Sequence, residues 1–222
     1  MITSTEIRSV PVVDRVNFIK GRATSAPSVL HVGCADAPYT AERIESGELL
    51  HLHLAASTRQ LVGVDLDASA LNLLRASRPD LDLEIYDVEQ RWERPERFDL
   101  VVAGEVIEHL GAPLSALRHL SEALAPGGRI IVTVPNALAL KAAVRGLSGR
   151  ELVHPDHTTY FSPVVMTELA RRAGLSVIEL YQYFAVGSAR SRFAASILKR
   201  IARYSGPIGD GLVFVLSPHE SS

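Results

Sequence analysis

Ser28-Val-Leu-His-Val-Gly33 and Leu61-Val-Gly-Val-Asp65 are the two runs that decide the fold. Each is a short, almost wholly apolar stretch that stops at a glycine or an acid, the pattern of a parallel strand buried on both faces and ending in a tight turn. Three more follow. Leu83 to Tyr86 ends on Asp87, Phe98 to Ala103 runs into Gly104, and Arg129 to Val134 is entered through Pro126, Gly127 and Gly128 and left through Pro135 and Asn136. Between them, Ala68 to Ser77, Pro113 to Leu124 and Pro163 to Ala173 carry apolar residues at three- and four-residue spacing, and Gly174 stops the last. Glu42 to Arg59 reads as one extended helix carrying His51 and His53, both taken as structural.

Strands that alternate with helices imply a mostly parallel sheet with right-handed crossovers, whose ligand site lies at the carboxyl ends of the strands. Gly33, Asp65, Asp87 and Gly104 therefore gather at one edge. Beyond residue 174 the pattern changes: Val177 to Phe184 reads as a sixth strand and Leu212 to Leu216 as a seventh. Ala189 to Tyr204, with Arg190, Arg192, Lys199, Arg200 and Arg203 beside Phe193, Ile197, Leu198 and Ile201, reads as a basic amphipathic helix inserted between them. It can pack on the domain, cap an acceptor, grip an acidic substrate, touch a membrane surface or join two subunits into a homodimer.

The composition narrows the partners. The 222 residues suit one domain, organised as a helical lead-in over 1–27, a core over 28–174 and the last strands with their basic helix over 175–222. A net charge of −2 gives no broad attraction toward nucleic acid, so none is expected as a partner. The single cysteine, Cys34, cannot form an internal disulfide, and no membrane span or signal peptide is legible, so a cytoplasmic protein is expected.

The acids at the strand ends carry the chemistry. Asp65 can accept both hydroxyls of a ribose, since Asp67 lies closer to the following helix and better suits its cap. Asp87 can accept from an adenine amino group. The turn Gly33-Cys34-Ala35-Asp36-Ala37 lets backbone amides approach a ligand.

In order and content these segments resemble the class I S-adenosylmethionine-dependent methyltransferases. The matching stretches are Val29 to Ala37, Val62 to Asp67, Tyr86-Asp87, Phe98 to Leu110 and Leu124 to Asn136, spread over most of the chain. The subgroup most like it holds ubiquinone-biosynthesis O-methyltransferases and many sugar and natural-product enzymes. The resemblance implies a Rossmann-like three-layer αβα sandwich whose seven-stranded sheet is mostly parallel with an antiparallel last strand. It implies S-adenosyl-L-methionine as methyl donor, held by Gly33, Cys34, Ala35, Asp36, Asp65, Leu66, Asp87, Val88 and Gly104. The sequence departs from the family where Ala35 and Ala37 replace glycines and His31 replaces an acid inside the first strand. A neutral His31 can still accept a hydrogen bond at the cofactor, and Asp36 can supply negative charge.

A small-molecule hydroxyl is the expected acceptor, because the Asn/Asp-Pro-Pro-aromatic motif of enzymes that methylate nucleobase amines is missing where Ala103-Gly-Glu105 stands. Such an acceptor has to lose a proton, which calls for a base or a metal near the methyl group. Glu105, His154 and His157 are the candidate catalytic groups. Glu105, Glu108, His109 and His157 form a candidate shell for magnesium or manganese and, with less preference, zinc; related metal-dependent methyltransferases share the Glu-x-x-Glu-His arrangement. Two rivals share the architecture: a nicotinamide-dependent oxidoreductase, whose Gly-x-Gly-x-x-Gly turn is absent here, and a non-catalytic binding module.

Overall fold

In the computed structural model, which describes residues 10–151, 154–185 and 206–219, β1 (Ser28–Val32) is buried at every position and pairs in parallel on both sides. Its neighbours are β2 (Gln60–Asp65) and β4 (Phe98–Gly104), with Val29 opposite both Leu61 and Leu100. Outward from β2 lies β3 (Asp82–Ile85), and outward from β4 come β5 (Leu124–Pro135), β7 (Gly211–Pro218) and β6 (Leu175–Tyr183), giving the order β3-β2-β1-β4-β5-β7-β6. β7 runs antiparallel to both β5 and β6, and the other pairings are parallel. This is the Rossmann-like α/β arrangement with an antiparallel last strand.

Alternation along the strands builds the layers. Val101 and Ala103 of β4, Ile130, Val132 and Val134 of β5 and Phe214 of β7 point to one face. There they meet Ala116, Leu117 and Leu120 of α5 (Pro113–Glu122) and Met166 and Ala170 of α7 (Pro163–Arg172). Leu100, Val102, Ile131, Val213 and Val215 point to the other, against Ile19 and Ala23 of α1 (Arg15–Thr24) and Leu54 of α3 (Leu50–Ala55). Each large side chain so buried stabilises the fold by about 1.5–3 kcal/mol.

Local chemistry sets the helix starts. Asp67 caps α4 (Ala68–Ser77), accepting from the amides of Ser69 at 2.8 Å and Ala70 at 3.0 Å, so the cap falls to Asp67 as expected. Ser162 caps α7, whose first helical residue is Pro163.

Three sequence expectations change. The extended helix over Glu42 to Arg59 is two short ones, α2 (Thr40–Ser46) and α3, because Gly47 adopts φ 71° and ends α2 in the left-handed conformation. β5 begins at Leu124, not Arg129, since the ladder takes in Pro126-Gly127-Gly128 as a register shift opposite Phe98 and Leu100. An unanticipated helix, α6 (Leu140–Leu147), follows β5. The basic helix expected over Ala189 to Tyr204 lies outside the described residues. Among those described, no helix is long and apolar enough to cross a membrane.

Candidate active site

The turn after β1 is tied to β2 before any ligand is considered. Gly33 and Cys34 donate their amides to Val64 O at 2.9 and 3.2 Å, and Ala35 donates to Asp65 Oδ2 at 2.9 Å. Gly33 sits at φ 69°, and a Cβ there would lie 2.6 Å from Val106 Cγ2, so both backbone conformation and space require glycine. Ala35 is fully buried, with its methyl in the cluster formed by Leu49, Leu71 and Leu74, which explains why this position accepts a side chain in place of hydrogen.

Asp65 Oδ1 accepts from the Asp67 amide at 3.0 Å, so its two oxygens take one described backbone bond each. A carboxylate has about four acceptor sites, which leaves capacity for a vicinal diol. Beside it Leu66 is 68% exposed, a large apolar side chain open to a flat ring at the strand end. Asp87 accepts from the Glu89 amide at 2.9 Å. Val88 and Cys34 have buried side chains and can offer only backbone to a ligand. Asp36, at φ 55°, is exposed and paired with Arg43 at 3.3 Å.

His31 stands two residues before Gly33, near the end of β1. Its ring is 3% exposed inside β1, with Nδ1 3.1 Å from Nδ1 of the fully buried His51. A Cβ at Gly63 would lie 2.5 Å from His51 Cε1, so the bare backbone of β2 makes room for the pair. Burial pushes both imidazoles below the usual histidine range, and each stays neutral at pH 7. His51, read from sequence as structural only, is the hydrogen-bond partner of His31.

After β4 the chain bends at Glu105, a non-glycine residue at φ 56°, a conformation costing on the order of 1–3 kcal/mol. It is held there by its amide bond to Thr133 O at 2.9 Å and by its carboxylate, which accepts from Thr133 Oγ1 at 2.9 Å and the Tyr183 hydroxyl at 2.7 Å. Burial, then the Glu105 charge, keeps the Tyr183 phenol protonated. Arg15 Nη1 donates to Thr133 Oγ1 at 3.4 Å, and its guanidinium lies 5.8 Å from the Tyr183 ring centre. Gly104 faces the same guanidinium. Sequence reasoning missed Arg15, Thr133 and Tyr183; the one available signal was Thr133, a lone hydroxyl within Ile-Ile-Val-Thr-Val.

Beyond Glu105, Ile107–His109 forms a 3-10 turn. Glu108 within it is fully buried, and its carboxyl oxygens have no hydrogen-bond partner among the described residues. Burial, then the neighbouring Glu105 charge, pushes its pKa well above the usual carboxylate range. His109 meets His154 and His157 from the loop after α6, and one ligating atom from each lies within 4.8 Å of the other two. That loop is stitched to the turn: Glu108 O accepts from the amides of Thr158 at 2.9 Å and Thr159 at 3.2 Å and from Thr158 Oγ1 at 3.1 Å. Thr158 Oγ1 also lies 3.0 Å from Leu110 O. Burial first, then His109 and His154, lowers the pKa of His157, so its ring is a neutral proton acceptor at pH 7.

Of the four metal ligands expected from sequence, His109 and His157 stand together with His154. Glu105 and Glu108 are absent from that group among the described residues. The catalytic candidates divide likewise: His154 and His157 share the cluster, whereas Glu105 is anchored to Thr133 and Tyr183.

An acid at the end of β2, a glycine turn after β1 and proton-accepting groups after β4 and β5 share one sheet edge, the layout of an enzyme that binds a nucleoside and reacts beside it. A family model described as a methyltransferase domain matches residues 5–180. The chain is 28% identical over 179 residues to the ubiquinone biosynthesis O-methyltransferase of Nitrosospira multiformis, covering 75% of this chain and 70% of that one. Other curated relatives are matched over 61–72% of their length. Among solved structures, the N-methyltransferase NodS of Bradyrhizobium japonicum with S-adenosyl-L-homocysteine gives a TM-score of 0.58 at 19% identity, covering 93% of this chain and 86% of that one. The O-methyltransferase NcsB1 from neocarzinostatin biosynthesis, bound to S-adenosyl-L-homocysteine and 1,4-dihydroxy-2-naphthoic acid, gives 0.54 at 17% identity, covering 91% and 53%.

The chain belongs to the class I S-adenosylmethionine-dependent methyltransferase family. It is a methyltransferase, and its cofactor is S-adenosylmethionine.

Proposed function

We propose that this enzyme transfers the methyl group to a hydroxyl of a small-molecule acceptor, and that the observation carrying this reading is the histidine cluster at the cofactor edge. Asp65 holds the ribose, Asp87 the adenine amino group, and Leu66 covers the base. The Gly33 turn passes under the methionine portion, and Arg15 answers its carboxylate. Methyl transfer needs acceptor, carbon and sulfur in line, so positioning and exclusion of water supply most of the rate.

A hydroxyl must also be deprotonated as it attacks. His157, neutral at pH 7 and half-buried, accepts that proton, and the Glu105 charge favours the imidazolium that results. An amine acceptor has no such need once neutral, which is why a cluster of imidazoles favours oxygen. The 28% identical relative is named an O-methyltransferase, in keeping with this. A cavity of about 290 Å³ along α6, walled by Leu140, Val144, Phe184 and Ile208 with Lys141, Arg145 and Asp210 also lining it, is of a size for the ring of a small phenol.

Labelled S-adenosylmethionine offered with panels of phenols, aliphatic alcohols and amines tests the reading. Transfer to oxygen is expected, with His157→Ala lowering kcat by about 10²–10⁴ at unchanged cofactor affinity. Asp65→Ala should instead weaken cofactor binding. Transfer to amines alone, or full turnover in His157→Ala, overturns it.

A further inference from the structure

α6 inverts the usual arrangement of a surface helix. Leu140, Val144 and Leu147 are 41%, 57% and 91% exposed, whereas Lys141 and Arg145, one turn apart, are half-buried and line the cavity along the helix. The helix buries no residue, so packing does not account for its sequence. Among the described residues no carboxylate pairs with either cation. Asp210 shares the lining, but its Oδ2 accepts from the Ala185 amide at 3.0 Å.

Buried side-chain amides build the walls of this groove. Asn136 Nδ2 donates to Pro207 O at 2.7 Å and to Gly209 O at 2.8 Å, and its Oδ1 accepts from the Leu138 amide at 3.0 Å. Gln182 Oε1 accepts from the Gly209 amide at 2.8 Å, and the Leu140 amide donates to Ile208 O at 3.1 Å. The groove is therefore fixed by the fold rather than left between loosely placed loops.

Its walls spring from strand ends at the edge that carries the reaction. Pro135, Gly211 and Tyr183 stand in register across β5, β7 and β6. Phe184 follows Tyr183, whose hydroxyl bonds Glu105 just beyond β4, and Asp210 precedes Gly211. The loop bearing His154 and His157 ends at the same place, since Ala137 donates its amide to Phe161 O at 2.9 Å.

We infer that the groove binds the methyl acceptor through an anionic group, a carboxylate or a phosphate, which Lys141 and Arg145 hold while an apolar body lies against Leu140, Val144, Phe184 and Ile208. Two cations against one carboxylate leave a surplus of positive charge in a half-buried place, where an arriving anion is attracted more strongly than in open water. The arginine fork matches the oxygens of either group, and lysine adds a point charge. The chain as a whole carries −2, so this attraction is local to the groove and no general affinity for anions explains it. That the occupant is the acceptor rests on the proposed transfer to a small molecule; the preference for an anion does not.

Calorimetry on the full chain saturated with S-adenosylhomocysteine tests the groove with probes that share one ring system: 2-naphthoate, 2-naphthyl phosphate and the neutral 2-naphthamide. One anion per chain is expected to bind at least about tenfold tighter than the amide, and the tighter of the two anions names the group. Lys141→Gln and Arg145→Gln should each weaken that anion by about tenfold and leave naphthamide unchanged. Unchanged S-adenosylhomocysteine binding shows that each variant folds. Equal affinity for anion and amide, no binding of any probe, or unchanged anion affinity in both folded variants overturns the site. So does a dimer that Val144→Glu disperses in sedimentation, because a second copy then fills the groove, or capture by anionic phospholipid vesicles with no binding of free probe. The hydroxyl reading fails separately: a chain that binds naphthoate here and methylates only amines keeps this site and loses that reading.

Discussion

At His31 and His51 two buried imidazoles share one hydrogen bond, so protonating the accepting ring at Nδ1 leaves two donors facing each other. The linkage follows from the shift at His51, whose pKa is lowered from 6.5 to about 4. A base with a depressed folded pKa contributes stability that is fully present above 6.5 and is lost as pH falls through about 4. The shift corresponds to about 3 kcal/mol for this residue, and His31 adds in the same direction. Urea melts between pH 7.5 and 4 should therefore show stability falling steeply below pH 6.5, and His51→Gln should flatten that slope. Parallel pH profiles for the two proteins would show that the acid sensitivity arises elsewhere. The sequence marks His31 as a departure inside an apolar strand but gives no sign of its partner, because the two lie 20 positions apart on different elements.

Among the elements, those buried on both faces were the most legible. β1 reads directly as an uninterrupted apolar run, whereas α6 carries Leu140, Val144 and Leu147 at helical spacing but buries no residue, so its periodicity marks no core face. Expecting one helix over Glu42 to Arg59 failed at Gly47, whose left-handed conformation a periodicity reading ignores. The acids at the strand ends were legible because a strand end is a local feature. The Glu105 anchor was not: Tyr183 reaches it across 78 positions and Arg15 reaches Thr133 across 118, where spacing carries no information. The loop carrying His154 and His157 yields a prediction of its own. Thr158→Val deletes the hydroxyl shared between Glu108 O and Leu110 O but keeps the amide bond and the shape. Stability should drop by about 1 kcal/mol, and kcat should fall while cofactor affinity holds, measured by melts, turnover and calorimetry on the same preparation. An unchanged kcat would show that the histidines need no such anchoring.

For the molecule as a whole, the cofactor belongs to the folded state alone, since its proposed contacts come from the separate ends of β1, β2, β3 and β4. A ligand at a hundred times its Kd stabilises by about 2.7 kcal/mol, and for a chain of this size that raises Tm by about 5–10 °C. Melts with saturating S-adenosylhomocysteine should show that rise, and Asp65→Ala should lose most of it. An equal rise in both proteins would remove Asp65 from the proposed ribose contact.

The bonds from Thr158 and Thr159 to Glu108 O bear on any attempt to re-engineer what this enzyme accepts. A loop transplanted from a cousin at residues 154–161 would arrive without the short turn at 107–110 that it was shaped against. The two stretches are one exchangeable cassette, separated in the gene and inseparable in space, and libraries that shuffle only one of them will mostly sample broken pairs.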